Sequence, residues 1–216
     1  EAPTVAQLAA RLEEALREGQ GVHAPPLLPG VLSGSRALSF AEERLWFLSQ
    51  LEPEDSSYLV PRALRLEGKL DVEALSRSLQ EIVRRHQILR TRFVAEDGYP
   101  RAEIVEGSTI DLPVTVLESL AEADRDPALR AALAEELSRP FDVARAPLVR
   151  ARLFRLADEA HLLVLTMHHI VSDGWSMGIF DRELGALYAA FSAGEPSPLA
   201  ELTVNVQEPD APAPAV

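Results

Sequence analysis

Two imidazoles, a carboxylate and a glycine fall within one short stretch, Met167-His168-His169-Ile170-Val171-Ser172-Asp173-Gly174-Trp175-Ser176. A neutral imidazole can take a proton from an attacking nucleophile near neutral pH, because its unperturbed pKa is about 6.5. Successive side chains of a strand point to opposite faces, so His168 and His169 do not share one ligand. One of them goes into the packing, and the other can line a cleft. Asp173 follows across a tight turn and can orient a ring or bind an arginine that fixes the loop. Gly174 lets a substrate come close to the backbone. The stretch stands where a buried strand ends and a helix begins, the edge at which α/β proteins bind ligands.

Each of these residues also has a purely structural reading. A histidine on an apolar strand is often a satisfied core group, and a carboxylate flanking a turn often serves the fold through an ion pair. Zinc held by His168, His169 and Asp173 is a rival, weakened by the opposed side chains and the lack of a good fourth ligand. Trp46 and Trp175 read as core aromatics. Arg84, Arg85, Arg90 and Arg92 form a basic cluster in an acidic chain, by default a solvated face and alternatively a dock for an acidic partner.

The elements around this stretch alternate between strand and helix signals. Ser39-Phe40-Ala41-Glu42 has capping-box spacing and opens a helix to about Leu51. A strand follows at Leu59 to Leu66. Asp71 then caps a helix whose inward face is Val72, Leu75, Leu79, Ile82 and Val83. Strands are expected at Leu89 to Ala95 and Arg101 to Val105, turned at Asp97-Gly98, and a short one at Val114 to Leu117. Pro127 to Leu137 reads as a surface helix with proline at an early position. Leu148 to Leu156 and His161 to Met167 read as strands joined at Ala157 to Glu159, the second apolar on both faces and therefore central. A helix runs from Gly174 to about Phe191. This order predicts an α/β layered domain.

The flanks differ in composition. Thr4 to Leu16 has the apolar spacing of one short amphipathic helix, and residues 19–34 carry the Gly and Pro of an extended linker. From Gly194 onward, Pro and Ala dominate and the chain is expected to be mostly unpacked.

Composition excludes several classes. With 47% apolar and 25% charged residues among 216, disorder throughout is ruled out. A net charge of -13 repels phosphate backbones and anionic lipid, so neither nucleic acid nor a membrane is the expected partner. There is no cysteine, which excludes disulfides, thiolate metal sites and a cysteine nucleophile. The longest apolar stretch, Leu162 to Met167 with Thr166 inside it, is far shorter than the ~20 residues of a spanning helix. Glu1-Ala2-Pro3 is no signal peptide, and the chain reads as cytoplasmic.

Three motifs in order resemble the condensation domains of nonribosomal peptide synthetases. His168-His169-Ile170-Val171-Ser172-Asp173-Gly174 matches the family's His-His-x-x-x-Asp-Gly signature in full. Leu38 to Leu48 and Arg85 to Phe93 match two further motifs, departing only at Glu42, where Gln is common, and Gln87, where Glu is common. The run His168 to Ser176 is most similar to the subtype that joins an L-configured donor to an L-configured acceptor.

The resemblance implies a chloramphenicol-acetyltransferase-like lobe over residues 35–199, with a mixed sheet and flanking helices. It further implies that residues 1–18 are the last helix of an upstream carrier domain and residues 200–216 a tail. Only the N-terminal of two lobes fits this length, so the expectation is a piece or natural truncation of an assembly-line protein, inactive without its C-terminal lobe. In the family, an aminoacyl amine on one carrier attacks the acyl thioester on another, both held on phosphopantetheine, with no metal and no bound cofactor. The resemblance makes His169 the catalytic histidine, His168 and Asp173 the residues that hold the loop, and Gly174 the backbone beside the thioester. Upstream and downstream carriers and the second lobe are the implied partners, with self-association through the uncovered face. A non-catalytic module that docks carrier or synthetase domains is the alternative.

Overall fold

The computed structural model describes residues 4–17 and 35–202. The Thr4 hydroxyl accepts the Gln7 N–H at 3.3 Å and so caps helix α1 (Val5–Arg17), on which Val5, Leu8 and Leu12 stand exposed. The linker and most of the tail expected from composition lie outside the described residues.

From Ser35 the chain runs β1 (Ser35–Ala37), α2 (Phe40–Leu51), β2 (Leu59–Glu67), α3 (Val72–Arg85), β3 (Thr91–Glu96) and β4 (Tyr99–Ile104). It continues through β5 (Val114–Val116), α4 (Glu122–Ser138), β6 (Val149–Ala157), β7 (Ala160–His168) and α5 (Gly174–Ser192). The strands make two sheets, ordered β1-β4-β3 and β2-β7-β6-β5. The smaller one is antiparallel and turns at Asp97-Gly98, whose φ values of 53° and 84° are those an Asp-Gly hairpin favours. The larger one is mixed, since β5 runs parallel to β6 while the other pairs are antiparallel. A separate small sheet is not readable from the sequence, because the three residues of β1 are too few for a periodic signal.

Alternation along β7 builds the core. Leu163, Leu165 and Met167 meet Leu75, Leu79, Ile82 and Val83 of α3 and Phe180, Leu184 and Leu187 of α5. Val164 points the other way, to Phe154 on β6 and to Leu129 and Leu133 of α4. Each such side chain contributes about 1.5–3 kcal/mol on burial, so β7 is held from both faces and its C-terminal end is a rigid platform.

Four expectations are corrected in whole or in part. The strand expected from Leu89 starts at Thr91, because Gln87–Arg90 wind one tight 3-10 turn first. The helix expected from Pro127 starts at Glu122, and Pro127 lies inside it rather than in its opening position. Ala123, whose carbonyl the proline leaves without its usual N–H donor, is an exposed residue. The basic cluster divides: the Arg84 and Arg92 side chains stay exposed, at 54% and 45%, as a solvated face does, whereas the Arg85 side chain is 7% exposed and binds Glu183 on α5 at 3.2 Å. His86 Nε2 meets the same carboxylate at 2.7 Å, and Arg90 is turned inward against Glu106 at 2.9 Å. Arg84 and Arg92 pair with Glu81, Glu201 and Glu103 at the surface, where such pairs contribute only about 0–1 kcal/mol. Arg85 also donates to the Ala200 carbonyl, and Leu199 packs on the core. The segment just after Gly194 is thereby tied down and not unpacked.

Candidate active site

Between the end of β7 and the start of α5, residues 169–173 reverse the chain under a set of backbone bonds. His168 N–H donates to the Leu148 carbonyl at 3.1 Å, and His169 N–H to the Tyr58 carbonyl at 2.8 Å. Val171 N–H and the Ser172 hydroxyl both donate to the His168 carbonyl, at 3.0 and 3.1 Å.

The two histidines separate as strand alternation requires. His168 is 5% exposed, with Tyr58 tilted against it and Phe141 edge-on at 6.3 Å between ring centres. Its Nδ1 accepts the Ile170 N–H at 3.0 Å, which leaves the ring proton on Nε2. Burial, and secondarily the neighbouring His169, pushes its pKa down to about 4. A histidine whose folded pKa lies below the ordinary 6.5 binds fewer protons folded than unfolded, so acid favours unfolding. The chain is therefore expected to lose up to about 3 kcal/mol of stability from this group as pH falls from 6.5 toward 4. Urea titrations across that window should show a shallower loss in His168→Gln than in the parent chain.

His169 is exposed, and its Nδ1 lies 2.6 Å from the Ser172 carbonyl. A carbonyl oxygen only accepts, so Nδ1 carries the proton and donates. The Nε2 lone pair is left with no partner among the described residues. This is the tautomer a proton acceptor needs.

Among the described residues, Asp173 neither orients a ring nor binds an arginine. Its carboxylate accepts the Ser176 N–H at 2.7 Å, and Ser176 Oγ accepts the Asp173 N–H at 2.8 Å, a reciprocal cap at the start of α5. The Ser176 N–H, joined by its hydroxyl, holds the Asp173 carboxyl below the usual carboxylate range. Asp173→Ala is expected to cost about 0.5–2 kcal/mol, read as a lower melting temperature, with Asp173→Asn close to the parent. A Cβ added at Gly174 would meet open space, and its φ is not left-handed, so nothing in this fold demands glycine there. Trp175, expected in the core, is 83% exposed. The inward face of α5 begins at Met177, and Trp175, two residues before it, falls on the opposite side of the helix. No group of three or more His, Asp or Glu among the described residues is arranged to hold a metal ion. The side chains of the zinc reading are turned apart, each to its own backbone partner.

Residues 33–207 match the family model described as the condensation domain. The chain belongs to the condensation-domain family of nonribosomal peptide synthetases. This condensation domain is 46% identical over 188 residues to chondramide synthase of Chondromyces crocatus, covering 86% of the chain and 5% of that protein. It is 43% identical over 173 residues to malpibaldin synthetase of Mortierella alpina, covering 80% of the chain and 3% of that protein. Among solved structures it resembles the first condensation domain of the calcium-dependent antibiotic synthetase, with a TM-score of 0.70 and 29% identity. That match covers 78% of this chain and 40% of the other. The chain thus spans a small part of its curated relatives and about two fifths of a solved condensation-domain chain.

Sequence reasoning missed what holds His168 within this condensation domain. Arg150 lies with its guanidinium carbon 3.9 Å from the centre of the Phe141 ring, the ring that meets His168 edge-on. Phe141 and Tyr58 are remote from His168 in sequence, and no local spacing announces them.

Proposed function

We propose that this chain is the N-terminal lobe of an amide-forming condensation domain, and that His169 acts on the acceptor amine. The carrying observation is the exposed His169 ring, with Nδ1–H given to Ser172 and the Nε2 lone pair uncommitted. In the reaction the amine nitrogen attacks the thioester carbon, a C–N bond forms, the C–S bond breaks, and the sulfur leaves as the carrier thiol. Nε2 receives the proton the amine sheds and passes it to the departing sulfur, or holds the amine in line for attack while that proton goes to the sulfur directly. His168 stays neutral and buried, supporting the turn rather than exchanging protons. The open space beside Gly174 suits a thioester arm that passes along the backbone.

Both substrates in this reading arrive on the phosphopantetheine arms of upstream and downstream carrier domains, and the C-terminal lobe supplies the other tunnel wall. Phe40, Phe47 and Leu51 form one exposed stripe on α2, and Trp175 adds exposed apolar surface on α5. Apolar surface of this kind supports a face that another lobe covers, and self-association when the chain stands alone. Helix α1 fits the last helix of an upstream carrier. His169→Ala in the complete two-lobed protein, assayed with loaded carriers, is the test, and unchanged amide formation would refute the role.

A further inference from the structure

The peptide that joins Ser172 to Asp173 is held at both of its polar ends. Its carbonyl accepts His169 Nδ1–H at 2.6 Å, and its N–H donates to Ser176 Oγ at 2.8 Å. A peptide unit is planar, with carbonyl and N–H pointing opposite ways, so tilting one end moves the other. Whatever fixes the Asp173 N–H therefore also aims the Ser172 carbonyl at the imidazole.

Two hydroxyls do the fixing. Ser176 Oγ accepts the Asp173 N–H and donates to the Asp173 carbonyl at 2.9 Å. Ser172, 7% exposed, donates its hydroxyl to the His168 carbonyl at 3.1 Å, which ties the near side of the same peptide to the end of β7. Once its N–H is donated, the peptide is polarised and its carbonyl becomes a stronger acceptor. The helix cap survives without the Ser176 hydroxyl, because the Asp173 carboxylate takes the Ser176 main-chain N–H at 2.7 Å. Free histidine in water prefers its proton on Nε2, so the opposite tautomer at His169 has to be imposed.

We propose that Ser172 and Ser176 are positioning residues for His169, acting through the peptide between Ser172 and Asp173. Together they hold the ring proton on Nδ1 and keep Nε2 free for the amine, a role that rests on the reading of His169 given above.

Imidazole nitrogen NMR of the 216-residue chain tests this without turnover, the His169 signals being those lost in His169→Gln. At about pH 8.5, where an ordinary imidazole is neutral, the parent ring should carry its proton on Nδ1. Ser176→Ala and Ser172→Ala should each lower the ratio of that tautomer to the other by about fivefold, the effect of one ordinary hydrogen bond. Ser176→Thr keeps the hydroxyl and should match the parent. His168, whose Nδ1 accepts the Ile170 N–H, should keep its proton on Nε2 throughout and so report an intact turn. In the complete two-lobed protein, Ser176→Ala should lower kcat about tenfold with KM unchanged, and Ser176→Thr should restore it. A parent ring protonated on Nε2, an unchanged ratio in either alanine variant, or a threonine variant that falls with the alanine one overturns the proposal. Full rate in His169→Ala would sink the amine reading alone, since the tautomer decides the positioning role independently.

Discussion

His169→Ala, introduced into the complete two-lobed protein, is expected to slow amide formation by about 10²–10⁴-fold, the range that a positioned proton acceptor supplies. The effect should come without a folding defect. The ring is exposed, its one hydrogen bond among the described residues goes to the Ser172 carbonyl, and a surface change of this kind moves stability by about 0.5 kcal/mol or less. Ser172 also stays anchored, because its hydroxyl donates to His168 and not to His169. Glutamine at the same position separates the two chemical roles. It can still hold an amine through its side-chain oxygen, but it cannot take up a proton near neutral pH. A base makes His169→Gln as slow as His169→Ala, whereas a positioning group leaves the glutamine variant well above the alanine one. Single-turnover assays with preloaded carriers read this directly, with equal melting temperatures as the control.

How much of this was legible in the sequence depended on how local each cause was. The cap at Ser39, the cap at Asp71 and the hairpin at Asp97-Gly98 are set by residues within a few positions of one another, and all three stand where spacing put them. The split between His168 and His169 follows from strand alternation alone. Burial of Arg85 and Arg90 was not legible, because Glu183 and Glu106 reach them through the packing of α3 and α5 and the course of β4. Glu42 shows the same limit. Burial raises its pKa, yet the net shift is downward, through Arg36 and the Ser39 N–H. Arg36 binds both carboxylate oxygens, at 2.6 and 2.7 Å, from strand β1, which the sequence did not announce. A glutamate where the family commonly has glutamine is therefore matched by a local cation.

Arg150→Ala is expected to destabilise the fold by about 3–5 kcal/mol, since it strips the partner from a buried charge. The Arg150 Nε donates to Glu136 at 2.8 Å, and the two side chains are only 17% and 10% exposed. The same guanidinium donates to the backbone carbonyls of Arg139 at 2.7 Å, Pro140 at 3.2 Å and Glu136 at 3.3 Å. It thus closes the end of α4 and the turn after it onto β6, and its stacking on Phe141 sets the ring that meets His168. Glu136→Gln should cost less than Arg150→Ala, because a neutral amide leaves no bare charge behind. Joint replacement by Arg150→Met and Glu136→Leu should recover much of the Glu136 share, since apolar pairs of similar volume commonly replace buried ion pairs at little cost. The three carbonyls would still lack donors, so recovery should stop short of the parent. Denaturant unfolding of the four chains measures both quantities. A loss under about 1 kcal/mol for Arg150→Ala would show that water, not this guanidinium, satisfies the turn.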